Sequence, residues 1–397
     1  MRRMVVMANV AALFFLSLLV FSGVSAVHAQ SAPLESPLQS LDARKAQELP
    51  SYKTELPVEQ FAAQAVLHEE NSGPDQSLSY QIRLPRDWKK PREKIDDEEG
   101  GDKNKPAPAG RILGNVAKFL GPAFPDAPTP SRFEIRSLAM DHEITARNWF
   151  FYFVLNAGYT LQGMEVVSDH EVEAQYVVIE NDEPYVVRTR AIVNGSRMVL
   201  VSCSVPDSHW KSERALQEQI IDSFKFLSPE EPRIEQTHTY SFLDLARFDY
   251  LDSWNLKAPN INYTDIMDAT LINSSDGKIL NGQISLHVVS TQAGTTLQKE
   301  VQNVKDSLKG SGFAVGDLIE VPTSYKFQPQ IYFSHVEVYK VSEKKELHQS
   351  QEFWLALLME DRYYYIVTLQ TPARGVDFYN WARNIEAFRT VIESLRP

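Results

Sequence analysis

Cysteine is nearly absent from this chain of 397 residues: Cys203 stands alone. One thiol can form neither an internal disulfide nor a thiolate metal cage. Basic charge is also short, with 40 Lys and Arg against 52 Asp and Glu and a formal net charge of −12. An acidic surplus disfavours nucleic acid and anionic lipid surfaces as partners, because neither offers positive charge to pair with. Beyond the first thirty residues no run of 18 apolar residues occurs, so no later segment reads as a membrane-spanning helix. The sequence holds no Gly-x-Ser-x-Gly elbow, no phosphate-binding Gly-x-x-x-x-Gly-Lys-Ser/Thr loop, no Gly-x-Gly-x-x-Gly after a strand and no His-Glu-x-x-His. His68, His142, His170 and His209 stand singly, as do His238, His287, His335 and His348. Metal sites need clustered ligands, so no metal or other cofactor is expected. Cys203 lies inside the apolar run Met198–Val205 and reads as a small hydrophobe rather than a nucleophile.

What is present begins with an address. Arg2 and Arg3 precede an apolar stretch from Val10 to Phe21, and Val27-His28-Ala29 ends a small-residue segment. Basic start, short apolar middle and small-x-small end describe a secretory signal peptide over 1–29, cleaved after Ala29. The apolar stretch is too short for a spanning anchor. Export without disulfides fits a bacterial periplasm or culture medium, since domains with full-sized cores can do without such bridges. The expected location is therefore periplasmic or secreted. Residues 30–64, rich in Ser, Pro, Gln and Glu at their start, read as a flexible tether, and the stretch 89–110 as a charged exposed loop with too little apolar surface to order itself.

A weak internal repeat organises the rest. Trp88 closes the segment that opens with the alternating run Leu78–Leu84, and Trp254 closes a similar segment that begins at Tyr240. Strands closing on proline recur at Pro206 and Pro372, with the same sequence offset as the two tryptophans. Between these landmarks each half presents a helix candidate, Ile144–Asn156 before Gly158 and Leu297–Leu308 before Gly310. Four strand candidates follow each: 163–168, 173–180, 184–193 and 197–205 in the first half, and 314–321, 330–341, 350–359 and 362–371 in the second. Apolar stripes at Leu216, Ile220, Phe224 and Leu227, and at Phe378, Trp381, Ile385, Phe388, Ile392 and Leu395, mark a terminal helix for each half. The expected architecture is α+β: two tandem α/β/α sandwich units at 65–228 and 234–397, each a mainly antiparallel sheet with packed helices.

The opening strand that runs into Leu84-Pro85-Arg86-Asp87-Trp88, the closing strand Tyr363–Leu369 and the final helix ending Ile392–Leu395 resemble the Mog1/PsbP-like α/β/α fold. The resemblance implies mostly non-catalytic proteins that help assemble or stabilise larger complexes, and it transfers no active-site residues. The expected function is an exported, non-enzymatic protein-binding or assembly factor of the bacterial envelope, with a secretion or conjugation system as one setting. Its partner is another envelope protein or a second copy. The alternative is a periplasmic hydrolase or a carrier of a small apolar ligand whose site the sequence does not reveal. Trp149, Phe151 and Phe153 lie in a segment apolar all round, which needs cover on its outer face and is the candidate interface.

Overall fold

The computed structural model describes residues 48–72, 75–91, 114–127, 129–259, 263–275, 279–319, 321, 327–343 and 350–397. The expected signal peptide and most of the charged loop lie outside the described residues. The first half of the described chain contains α1 (Val58–Gln64), β1 (Ala65–Glu70), β2 (Tyr80–Pro85), β3 (Gly114–Leu120) and β4 (Arg132–Ala139). Helix α2 (Ala146–Ala157) follows, then β5 (Thr160–Ser168), β6 (Glu171–Glu180), β7 (Glu183–Asn194), β8 (Arg197–Pro206), α3 (Asp207–Asp222) and β9 (Lys225–Phe226). The second half contains β10 (Thr237–Phe242), β11 (Ala246–Leu251), β12 (Asn255–Lys257), β13 (Ile266–Ser275), β14 (Ile279–Ser290) and α4 (Leu297–Gly310). It ends with β15 (Phe313–Ile319), β16 (Tyr332–Glu343), β17 (Ser350–Met359), β18 (Tyr363–Pro372) and α5 (Phe378–Ser394).

Local chemistry accounts for the boundaries. Thr145 caps α2 by accepting from the Asn148 N–H at 3.2 Å, and Gly158 ends it at φ 67°, a left-handed conformation that a residue with a Cβ resists. The segment Trp149–Leu155, which periodicity alone allows as helix or buried strand, is thus a helix. Asp377 caps α5 by accepting from Asn380 N–H at 3.1 Å. Between β6 and β7, Asn181 and Asp182 take positive φ, the geometry of a two-residue hairpin turn.

The fold is α+β, and every strand pair is antiparallel. Among the described residues, one sheet runs β3-β4-β8-β7-β6-β5, and another runs β12-β13-β14-β18-β17-β16-β15. From β13 onward the second repeats the strand order of the first, with α2 and α4 inserted at the same step and α3 and α5 following the central strand. Hairpins β1–β2 and β10–β11 precede the sheets, and a buried tryptophan closes each: Trp88 N–H bonds to Pro85 O at 3.1 Å, and Trp254 N–H to Leu251 O at 3.0 Å. After α3, Phe226 pairs with Tyr80 of β2; after α5, Arg396 pairs with Arg247 of β11.

The layers stack as α3, six-stranded sheet, α2, α5, seven-stranded sheet, α4. Ile82, Trp88, Phe133, Val201 and Ile221 form the core beneath α3. A single continuous core joins α2 to α5 and to the inner faces of both sheets, running from Phe150 and Tyr176 to Trp354, Trp381 and Phe388. Only a small core lies under α4, around Leu308, Phe353, Leu355 and Ile366. Helix α5 buries nine residues and α4 buries one, Leu308, so α4 is the lightly held outer layer.

The tether expected over 30–64 is corrected where it is described. From Glu48 onward the chain is a docked strap that runs into α1. Leu49 is buried, the Arg188 guanidinium donates to Pro50 O at 2.6 Å, and Glu218 accepts from Ser51 Oγ at 2.9 Å and Tyr52 N–H at 2.5 Å. Arg188 and Glu218 are themselves buried. Burial of these charges is sustained because each is paired and hydrogen-bonded, a requirement that composition does not reveal.

Candidate functional site

Under α4, on the face of the seven-stranded sheet away from α5, lies a cleft of about 480 Å³. Its position follows from strand alternation. Ile284, Leu286 and Val288 of β14 point into the core under α5, so Gln283, Ser285 and His287 emerge on the opposite face. Thr368 and Gln370 of β18 stand beside them, in register with Ser285 and Gln283. From the helix side come Asn303, Ser307 and the start of the following turn at Ser311. The floor is apolar, formed by Val304, Leu308, Phe313, Phe353 and Ile366.

His287 is the cleft's ionisable centre. Its Nδ1 lies 2.7 Å from Asp268 Oδ1, its cross-strand neighbour on β13, and its Nε2 lies 3.5 Å from Glu300 Oε2 in the first turn of α4. The hydrogen bond to Asp268 raises the imidazole above its usual range, against a smaller opposing effect of burial. Glu300 is held below the usual carboxylate range, chiefly by a hydrogen bond from Thr295, with Asn303 and His287 adding to it. The two ring nitrogens face carboxylates on opposite sides of the ring. This is a latch between sheet and helix.

The residues singled out from sequence are dispersed. Trp149 and Phe151 are buried, while Phe153 is partly buried and stacks on Trp149 at 5.5 Å. Phe153 also meets Tyr159 and Tyr176, so it belongs to the packing of its own sheet. The helix face that looks outward carries Tyr152, whose ring lies 4.8 Å from Tyr379 of α5. Arg389 of α5 bonds Asp169, which follows β5, at 2.8 Å. Cover for the apolar helix therefore comes from the second half of the same chain. Cys203 is buried on the α3 side of β8, and that burial pushes its thiol well above the range in which a thiolate forms.

Sequence reasoning missed two groups. His287 was one of the eight histidines that stand singly after the expected signal peptide; its only signal is the polar alternation Gln283, Ser285, His287 inside an otherwise apolar strand. Glu352 is a carboxylate only 2% exposed. It accepts from the indole N–H of Trp354 at 3.1 Å and of Trp381 at 2.8 Å, and from Arg374 Nε at 2.8 Å, Nη2 at 3.1 Å and backbone N–H at 3.2 Å. It ties β17 to the loop before α5 and to α5 itself. Among the described residues no three His, Cys, Asp or Glu side chains form a group that could hold a metal ion, and no described helix is long and apolar enough to cross a membrane.

No protein-family model matches the sequence, and no curated protein matches it. Among solved structures, the chain is similar to the Ran-binding protein Mog1p of Saccharomyces cerevisiae. The identity is 12%, over 41% of this chain and 95% of that one, with a TM-score of 0.27. It is also similar to cyanobacterial PsbP (CyanoP) from Synechocystis sp. PCC 6803, with 14% identity over 40% of this chain and 92% of that one and a TM-score of 0.28. Both matches are to the Mog1/PsbP-like fold that the sequence resembles.

Proposed function

We propose that the chain is two tandem Mog1/PsbP-like units, 65–228 and 234–397, exported by a signal peptide over 1–29, and that it serves as a non-enzymatic binding or assembly factor of the bacterial cell envelope. The repeated strand order and the matching tryptophan-closed hairpins support the duplication. The sequence carries none of the catalytic motifs sought, and Cys203 is buried, which supports a non-enzymatic role. The observation that carries protein binding is the edge of the six-stranded sheet. Among the described residues strand β5 ends that sheet, and Val166 and Val167 on it are 48% and 55% exposed. An open strand edge bearing exposed apolar side chains is a template for pairing with another chain. The strap crosses this strand at Gly163, where an added Cβ would lie 3.3 Å from Leu49 Cα.

A photo-crosslinking residue at position 166, in the full-length chain expressed in cells, tests the reading. One defined envelope protein, or a second copy, should be trapped, and Val167→Lys should abolish the product. Turnover of a hydrolase substrate panel by the purified protein, lost on a single substitution in the α4 cleft, would overturn it.

A further inference from the structure

We infer that the cleft under α4 is a binding site for a saccharide or a similarly polyhydroxylated small molecule. This goes beyond the protein-binding reading, since the cleft and the β5 edge lie in different halves of the chain and neither argument uses the other.

The inference rests on the balance of the lining. His287 is held between the carboxylates of Asp268 and Glu300, which leaves the latch with a negative excess, and the lining among the described residues contains no Lys or Arg, so an anion finds no partner. The remaining polar side chains of the lining are uncharged, and each carboxamide spends an N–H on a neighbour, Gln283 on Ser285 Oγ, Gln370 on Gln351 and Asn303 on Glu300, which leaves its oxygen to recognise a ligand. Gln283 and Gln370 stand on the sheet and Asn303 on the helix; a carboxamide both donates and accepts. The hydroxyls of Ser285, Thr368 and Ser307 do the same. A set of groups that each donate and accept matches ligand hydroxyls, which also do both. Beneath them Leu308, Phe313 and Ile366 form an apolar floor suited to the C–H face of a sugar ring. A purely apolar ligand would bury the carboxamide oxygens of Gln283, Gln370 and Asn303 without a donor, at a cost of about 1–3 kcal/mol for each group. The volume, about 480 Å³, lies within the range of small-molecule sites, roughly 300–1,000 Å³.

The uncharged pairs Ser285–Thr368 and Gln283–Gln370 belong to this sheet and are not imposed by its strand order. On the second and last strands of the six-stranded sheet, the register that pairs Ser204 with Arg132 and Ser202 with Glu134 holds charged side chains. Arg132 there lies 3.6 Å from Glu134, and Lys118 lies 2.9 Å from the same carboxylate. Two sheets with the same order thus carry different chemistry on the same columns, one filled by ion pairs and one bearing hydroxyls and carboxamides beside the His287 latch.

The test is titration of the purified chain by calorimetry and saturation-transfer NMR. The probes are glucose, galactose, N-acetylglucosamine and maltose, with decanoate and the peptide Gly-Ser-Gly alongside. At least one saccharide should bind saturably. Ser307→Trp, which plugs the cleft, and Asn303→Leu, which removes a carboxamide, should each weaken it tenfold or more. Gln302→Leu, on the exposed face of α4, should leave it unchanged, and circular dichroism should show all three variants folded. Absence of saturable binding by any sugar overturns the inference, as does binding that survives Ser307→Trp. Saturable binding of decanoate or the peptide without any sugar overturns it too, and makes the cleft an apolar or peptide site.

Discussion

Glu352 offers the sharpest test of how the second half holds together. Five donors converge on a carboxylate only 2% exposed, two of them indole N–H groups that reach no water. Hydrogen bonds to a charged group contribute roughly 1.5–3 kcal/mol each, so a simple sum over five exceeds the whole stability of many domains. The sum is wrong because the Arg374 side chain is 21% exposed and recovers hydration when its partner is lost. The irreducible part is the two indoles, each stranded at about 1–3 kcal/mol, plus a cavity where the side chain stood. Glu352→Ala should therefore cost about 3–5 kcal/mol, the range for breaking a buried pair from one side. Glu352→Gln keeps one acceptor oxygen and should cost less. The assay is urea unfolding followed by tryptophan fluorescence, for which Trp354 and Trp381 are local reporters. A Glu352→Ala variant within about 1 kcal/mol of the parent would refute the reasoning, because it would mean that the indoles find other acceptors.

Three further outcomes follow from other contacts. His287 is held above its usual titration range by Asp268; the latch's contribution is complete below the unfolded-state value of about 6.5 and lost as pH rises through the raised one. A thermal melt series from pH 5 to 9 should show this loss in the parent and not in His287→Gln, a difference of up to about 1 kcal/mol. At the junction of the halves, Tyr152→Asp should loosen α2 from α5 while circular dichroism stays near parental, whereas Phe153→Asp should unfold the first half because Phe153 packs on its own sheet; equal effects of the two would count against the assigned faces. Gly282→Ala should cost about 1–3 kcal/mol by overpacking, since the new Cβ would sit 2.5 Å from Asn384 Nδ2, and Asn384 is fixed by bonds to Asn281 O and Thr371 Oγ1; unchanged denaturation midpoints would show that Asn384 can move.

The sequence by itself determined the order of elements from α2 to α3 and from α4 to α5. Apolar spacing and its stop signals set α4 and α5, position in the repeat set α2, and alternation with turn residues set β5 to β8. The α+β class followed from that order. The tertiary structure alone decided which faces meet. Trp149–Leu155 is apolar all round, which demands cover without naming it; packing on α5 through Tyr152 and Tyr379 supplies it. The strap at 48–57 reads as polar tether because its anchors, Arg188 and Glu218, lie more than a hundred positions away. Asp268 and His287 meet across two strands, and Glu300 joins them only once α4 lies back on the sheet. Local periodicity fixes the face a side chain takes, but its partner on that face depends on long-range register and helix docking, which no short stretch of residues encodes.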